Sequence, residues 1–348
     1  MKIVAFVHTE YHLMLTVNEI LKYPENSYSL YIMQMPNHKR LQIDFDFSGF
    51  ANADFEIVQI LANYHGFFSK EHIQLLKDVS EQKYDQLYFF QEMNPVLLSI
   101  IKTLKKTRRT CEICLFQDGL KPYNRMKGYS LGMTKWDIQI WRWLWRNGIK
   151  EFKPFKLLDT KKYAYTDEVD TVYLTFPDAY VNWNKKTLKK IEYYDHELFR
   201  ACLEKLFGWD NKLLPVNQGV ILYMTQPAHH DPVIEYDFLK TLKSQLNRPL
   251  ILKLHPLTSA ESITKYKIIA DDVYVINSLI PAEIFIMNLT NSIIVSLNST
   301  SMFYNAPSNR YYYVSNLFMD KIKRLRRYDF NHSPSKHITM VEQIGEII

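Results

Sequence analysis

The chain has 348 residues, 47% of them hydrophobic and 23% charged, which excludes a disordered or fibrous protein and is most simply two globular domains. Its 43 lysines and arginines stand against 37 acidic residues, a formal charge of +6. That mild excess suits an anionic small-molecule substrate or an acidic membrane surface and excludes a dedicated nucleic-acid binder. Three cysteines, Cys111, Cys114 and Cys202, are too few for a disulfide framework and indicate a reducing compartment. The pair Cys111 and Cys114 lies in an apolar run with no second ligand pair, so both read as core thiols rather than metal ligands.

The first half alternates strands and helices. Residues 3–7 form an apolar strand, and 11–21 follow with Leu13, Leu15, Val17, Ile20 and Leu21 at helical spacing. Further strands are expected at 29–33, 55–60, 86–90 and 111–116, and helices at 71–79 and 95–104. This alternation implies a parallel, doubly wound sheet. No signal peptide and no run of about 18 apolar residues is visible, so a cytoplasmic protein is expected.

Residues 120–170 break the pattern. Trp136, Trp141, Trp143 and Trp145, with Arg142, Arg146 and Lys150, suggest an aromatic helix. It suits a membrane-surface or acceptor-docking element; burial between domains or in a homodimer is the favoured reading. A linker at 176–184 and a helix at 185–207 follow. The second half brings strands at 219–224, 250–254, 273–276, 293–297 and 311–314. Helices are expected at 234–246, 281–287 and 300–304, with one or two more in the tail at 321–348. The expected domains are 1–180 and 181–348.

In a parallel sheet ligands bind at the carboxyl ends of the strands, and the second half concentrates polar chemistry there. Lys253-Leu254-His255-Pro256 ends one strand; Pro256 fixes the backbone that aims the imidazole. Asn298-Ser299-Thr300-Ser301 ends another and reads as a helix start, where phosphate binds well. Glu283, in the first turn of an apolar helix, can accept from two ribose hydroxyls or simply favour the helix dipole. Asp231 follows His229-His230 in a polar loop, as a general base or a helix cap. The adjacent histidines lack ligand spacing for a metal. Asp118-Gly119 ends the strand at 111–116, as a carboxylate at a strand's carboxyl end or an ordinary turn.

Two such domains with a nucleotide site in the second are analogous to the GT-B architecture: two Rossmann-like, doubly wound domains facing a central cleft. The motifs in order are His8-Thr9-Glu10-Tyr11-His12-Leu13-Met14, Asp118-Gly119, Thr225-Gln226-Pro227 with Asp231, Lys253-Leu254-His255-Pro256, Pro281-Ala282-Glu283 and Asn298-Ser299-Thr300-Ser301. This set resembles glycosyltransferase family 52, bacterial enzymes of the lipooligosaccharide sialyltransferase type. The resemblance implies a CMP-sialic acid donor, a glycan or glycolipid acceptor, inversion at the anomeric carbon, and neither metal nor cofactor. It implies that His255 supports the departing CMP phosphate, that Ser299 and Thr300 bind it, and that Glu283 holds the ribose. It points to Asp231 as base. In other sialyltransferase families the base is the acidic residue of the Asp-Gly element, here Asp118, and the assignment stays open between the two. Gln117 and Thr300 depart from the usual acidic residue and second serine. A different donor (Kdo, glucose or a polyol phosphate) and a catalytically silent glycan-binding protein are the alternatives.

Overall fold

The computed structural model describes residues 1–34, 41, 44–59, 70–92, 95–107, 110–123, 142, 145–146, 163–181, 186–226, 231–268, 273–323, 325 and 333–348. The chain divides into two compact units, Met1–Leu41 with Phe50–Glu192, and Gln42–Gly49 with Tyr193–Ile348. The change-over therefore lies beyond the expected boundary at 180, and a short earlier segment belongs to the second unit.

The first unit is a seven-stranded sheet. Its strands are β1 (Lys2–Val7), β2 (Ser27–Gln34), β3 (Ala53–Gln59), β4 (Gln86–Phe89), β5 (Glu112–Phe116), β6 (Thr171–Leu174) and β7 (Thr187–Lys190). They lie in the order β3-β2-β1-β4-β5-β6-β7. Every pairing is parallel. Ile3 to Val7 are at most 1% exposed, as expected of a central strand covered on both faces. Helices α1 (Glu10–Lys22), α2 (Lys70–Glu81) and α3 (Pro95–Thr107) connect the early strands. α1 starts where Thr9, in extended backbone, accepts the His12 N–H on its hydroxyl at 3.2 Å.

The second unit repeats the plan. Strands β8 (Ile221–Met224), β9 (Leu250–Lys253), β10 (Val273–Ile276), β11 (Ile293–Ser296), β12 (Arg310–Tyr313) and β13 (Ile338–Met340) form one sheet. Their order is β10-β9-β8-β11-β12-β13, again parallel throughout. Helices α4 (His196–Leu206), α5 (Val233–Leu246), α6 (Ala260–Lys267) and α7 (Ala282–Met287) belong to this unit.

Two long stretches differ from expectation in element type. The single helix at 185–207 is β7 followed by α4. Thr187-Leu188-Lys189-Lys190 is a largely exposed edge strand, with the lysines that protect such edges from pairing with another chain. Asp195 then starts α4 by accepting the N–H groups of Glu197 and Leu198 at 3.1 and 3.0 Å. Among the described residues of the tail there is no α-helix: β13 completes the second sheet, and the short 3-10 turn Ile344–Glu346 follows it. β6 and α6 were not anticipated. The aromatic segment falls outside the described residues except for Arg142, Trp145 and Arg146; Trp145 is 52% exposed. All three cysteines are free thiols. Among the described residues no helix is long and apolar enough to cross a membrane.

β11 is the strand on which the second unit depends. Ile294 is fully buried and sits opposite Leu222 on β8 and Tyr311 on β12. Ile294→Ala is expected to cost about 2–5 kcal/mol of stability, read in thermal or denaturant unfolding; a loss below about 0.5 kcal/mol would contradict this packing.

Candidate active site

In each unit the strand order reverses once, between β1 and β4 and between β8 and β11. At such a point the connections leave in opposite directions and open a crevice at the carboxyl edge. Both crevices carry polar side chains.

In the second unit the crevice is built by hydroxyl groups that tie adjacent strand ends together. Thr225, just after β8, accepts the His255 N–H on its Oγ1 at 2.9 Å. Ser296, at the end of β11, donates to the Met224 carbonyl at 3.2 Å and accepts the Ser299 N–H at 3.1 Å. Gln226 donates to the same hydroxyl at 3.3 Å. Ser299 in turn accepts the Ser301 N–H at 3.3 Å, opening the turn Thr300–Phe303. That turn is a four-residue 3-10 helix, not the α-helix expected there. Its donors are individual N–H and hydroxyl groups rather than a long helix dipole. Two supports hold it. The Tyr313 hydroxyl donates to the Ser299 carbonyl at 2.7 Å, and His337, just before β13, bonds the Met302 carbonyl through Nε2 at 2.8 Å. Burial lowers the pKa of His337, which keeps it a neutral Nε2–H donor.

His255 and Pro256, after β9, are half-buried; β8 stands between β9 and the strand that carries this turn. The His255 Nδ1 accepts the Leu257 N–H at 3.1 Å, so the neutral ring carries its proton on Nε2. Asn298, Ser299, Thr300 and Ser301 are also half-buried. Lys253 and Glu283 are each 3% exposed. The Lys253 ammonium donates to the carbonyls of Leu254 at 3.2 Å and Ser278 at 2.7 Å. It also lies 5.3 Å from the Phe285 ring centre. Its visible work is to tie β9 to the loop before α7, although the sequence grouped it with the nucleotide ligands.

Asp231 behaves as the helix-start reading expects. Its carboxylate accepts the Val233 N–H at 3.1 Å, with Pro232 already in helical dihedrals, and pairs with Lys265 at 3.0 Å. Half of its side chain is exposed. His229 and His230 lie outside the described residues. Among the described residues no group of three or more His, Cys, Asp or Glu could hold a metal ion.

In the first unit Asp118 follows β5, and its Oδ1 lies 3.1 Å from Nε2 of the fully buried His12. The His12 ring stacks on Phe90, just after β4, with centroids 4.2 Å apart and planes at 8°. Its Nδ1 accepts the His8 backbone N–H at 3.3 Å. Gln117, where an acidic residue is frequent in the related families, is 0% exposed. Its amide carbonyl accepts the Thr175 N–H at 2.8 Å and the Tyr123 hydroxyl, and its amide nitrogen donates to Tyr11. It joins β5, β6 and α1 and turns the next residue, Asp118, toward His12. The sequence reading quoted His8 and His12 only as part of a motif. Their spacing of four across a strand-to-helix turn was the available signal.

His8 is 8% exposed, and its Nε2 has no hydrogen-bond partner. Burial first, then the neighbouring His12, push its pKa from 6.5 to about 3, with Asp118 opposing.

The comparisons with known proteins agree with this layout. A family model described as "Alpha-2,8-polysialyltransferase (POLYST)" matches residues 4–311. No curated protein matches. The structure of an alpha/beta-galactoside alpha-2,3-sialyltransferase from Photobacterium phosphoreum is similar at a TM-score of 0.56 and 14% identity, covering 99% of each chain. The GT-B domain of a sialyltransferase from Photobacterium damselae is similar at 0.55 and 13% identity, covering 90% of this chain and 91% of that one. These likenesses establish the GT-B fold.

The folded pKa of His8 lies below its unfolded value, so the unfolded chain binds the extra proton between about pH 6.5 and about pH 3. The stability tied to a neutral His8 is complete above that window and is lost as the pH falls through it. From about pH 7 to about pH 5 this one group is expected to remove about 2 kcal/mol. In His8→Asn the loss of melting temperature over that range is expected to be smaller by the corresponding amount; an unchanged slope would show that His8 is not buried as a neutral ring.

Proposed function

From the premise that this chain belongs to the alpha-2,8-polysialyltransferase family and is a glycosyltransferase, we propose that it moves sialic acid from CMP-sialic acid to a hydroxyl of a bacterial surface glycan, of lipooligosaccharide or capsule type. The reaction inverts the anomeric centre and uses neither metal nor cofactor. The family's description directs attention to acceptors that already end in sialic acid. The observation that carries the donor assignment is the carboxyl edge of β8, β9 and β11, where the Ser299-Thr300-Ser301 turn and the Nε2–H of His255 belong to one sheet.

The reading assigns chemistry as follows. The acceptor hydroxyl oxygen attacks the anomeric carbon, and the bond from that carbon to the phosphate oxygen breaks with its electron pair going to CMP. The growing negative charge on phosphate is met by the His255 N–H and by hydroxyl and main-chain donors of residues 299–301. A phosphate monoester is a good leaving group and needs such donors more than a divalent cation. Glu283 remains the candidate for the ribose hydroxyls.

The acceptor proton goes to a carboxylate, and Asp118 is the better candidate. It stands at the carboxyl end of β5 beside the point where strand order reverses, and a buried imidazole holds one of its oxygens. Asp231 has a sufficient structural occupation in the start of α5 and the Lys265 pair. Transfer from a nucleotide sugar fits a cytoplasmic enzyme acting at the inner face of a membrane.

Transfer and CMP binding, measured on the same variants, test this reading. Asp118→Ala is expected to lose transfer by about a hundred- to ten-thousand-fold while CMP affinity stays near wild type. Asp231→Ala is expected to keep most activity and to lose about 1 kcal/mol of stability with its helix cap. Activity is expected to survive EDTA. Preference for UDP over CMP, a chelator loss restored by magnesium, or an inactive Asp231→Ala beside an active Asp118→Ala would each contradict the corresponding part.

A further inference from the structure

We propose that His12 is the positioning residue of the Asp118 carboxylate: it fixes one carboxylate oxygen through an Nε2–H donor and thereby sets the pH at which Asp118 is ionised. The inference rests on the reading of Asp118 as the base and adds a residue that the reading does not contain.

Every degree of freedom of the His12 ring is restrained. Its main chain is fixed at the start of α1, where Thr9 accepts its N–H and the Thr16 hydroxyl donates to its carbonyl at 2.9 Å. The plane of the ring is set by the stack on Phe90. Its tautomer is set by the His8 main-chain N–H, which occupies Nδ1 as acceptor and leaves the ring proton on Nε2. That proton points at Asp118 Oδ1, 3.1 Å away. The burial is one-sided: His12 is 0% exposed, whereas the Asp118 side chain is 38% exposed. A carboxylate with that much access to water does not need a buried imidazole for its own solvation. The arrangement orients it.

The same geometry excludes a relay. With Nδ1 facing an N–H, the ring cannot hand a proton onward. The acceptor proton therefore ends on the carboxyl group of Asp118, at the oxygen His12 does not hold. A donor to the ionised form also favours ionisation, so His12 keeps Asp118 a carboxylate at lower pH. The titratable groups around the pair include His8 just after β1, Tyr11 on α1 and Tyr163 before β6, with Glu92 after β4 and Tyr123 in the turn after β5 next to Tyr163. His8 and Tyr163 are held neutral by burial, His8 with its pKa pushed down to about 3 and Tyr163 with its pKa pushed well above the usual tyrosine value. Glu92 accepts the Ala164 and Thr166 N–H groups at 2.8 and 2.9 Å, and burial raises its pKa.

The test compares His12→Phe, which keeps a ring on Phe90 and removes both ring nitrogens, with His12→Gln, whose amide N–H can reach the same carboxylate. Both are measured in the full chain with CMP-sialic acid across pH, beside Asp118→Asn. Expected for His12→Phe are a kcat lower by about ten- to a hundredfold, an unchanged donor KM, and an acid limb of kcat/KM displaced upward by about one pH unit. His12→Gln is expected to recover most of the rate and the original limb. A folded His12→Phe with wild-type kcat and limb, beside an inactive Asp118→Asn, would overturn the inference and leave the base reading intact. An active Asp118→Asn would overturn the base reading and this inference with it. Should His12→Phe fail to fold, carboxyl NMR titration of Asp118 in wild type and His12→Gln decides. A wild-type pKa below the ordinary aspartate range supports the inference, and one at or above that range overturns it.

Discussion

β1 and β8 each lie where the order of a parallel sheet turns back on itself, and that constraint organises both units. Parallel strands end at one edge, so residues far apart in sequence arrive together: His8, Phe90 and Asp118 in one unit, and Thr225, His255 and Ser296 in the other. The polar groups of the second crevice are largely occupied with each other, strand end to strand end. Thr225 to His255, and Ser296 to Met224 and Ser299, link β8 to β9 and β11. A turn built this way is set before any ligand arrives, as the proposed stabilisation of a leaving phosphate requires.

Much of this was legible because buried parallel strands are short apolar runs with turn residues after them. The central strands β1, β8, β9 and β11 are read within one or two residues. The edge strand β10, Val-Tyr-Val-Ile, is also an apolar run and is read to the residue. Other edge elements were less legible. β7 is Thr-Leu-Lys-Lys, whose lysines mimic a solvated helix face, and β13 is three residues long. Neither has a continuous apolar run to announce it. α6 begins at Ser259 with a good cap yet buries only Ser262 and Tyr266, so its periodicity is faint.

The site divides along the same line. Residues whose chemistry follows from a strand end, such as His255 and the Ser299 turn, could be placed from sequence. Their roles depend on partners that spacing does not reveal. Asp231 read as a base or a helix cap and Asp118 as a base or an ordinary turn; the sequence shows neither the contacts of Asp231 with Lys265 and Val233 nor that of Asp118 with His12. Lys253 was grouped with the donor-binding residues from its position, and its ammonium donates to two main-chain carbonyls. His12 escaped notice because its partner is 106 residues away.

The central claim is that the donor nucleotide occupies the carboxyl edge of β8, β9 and β11. Amide hydrogen exchange of the whole chain with and without CMP measures this directly. Protection is predicted at residues 225–226, 255–258 and 296–303, with the strands of the first unit unchanged. Protection confined to the ends of β1, β4 and β5, with those three segments unaffected, would contradict it.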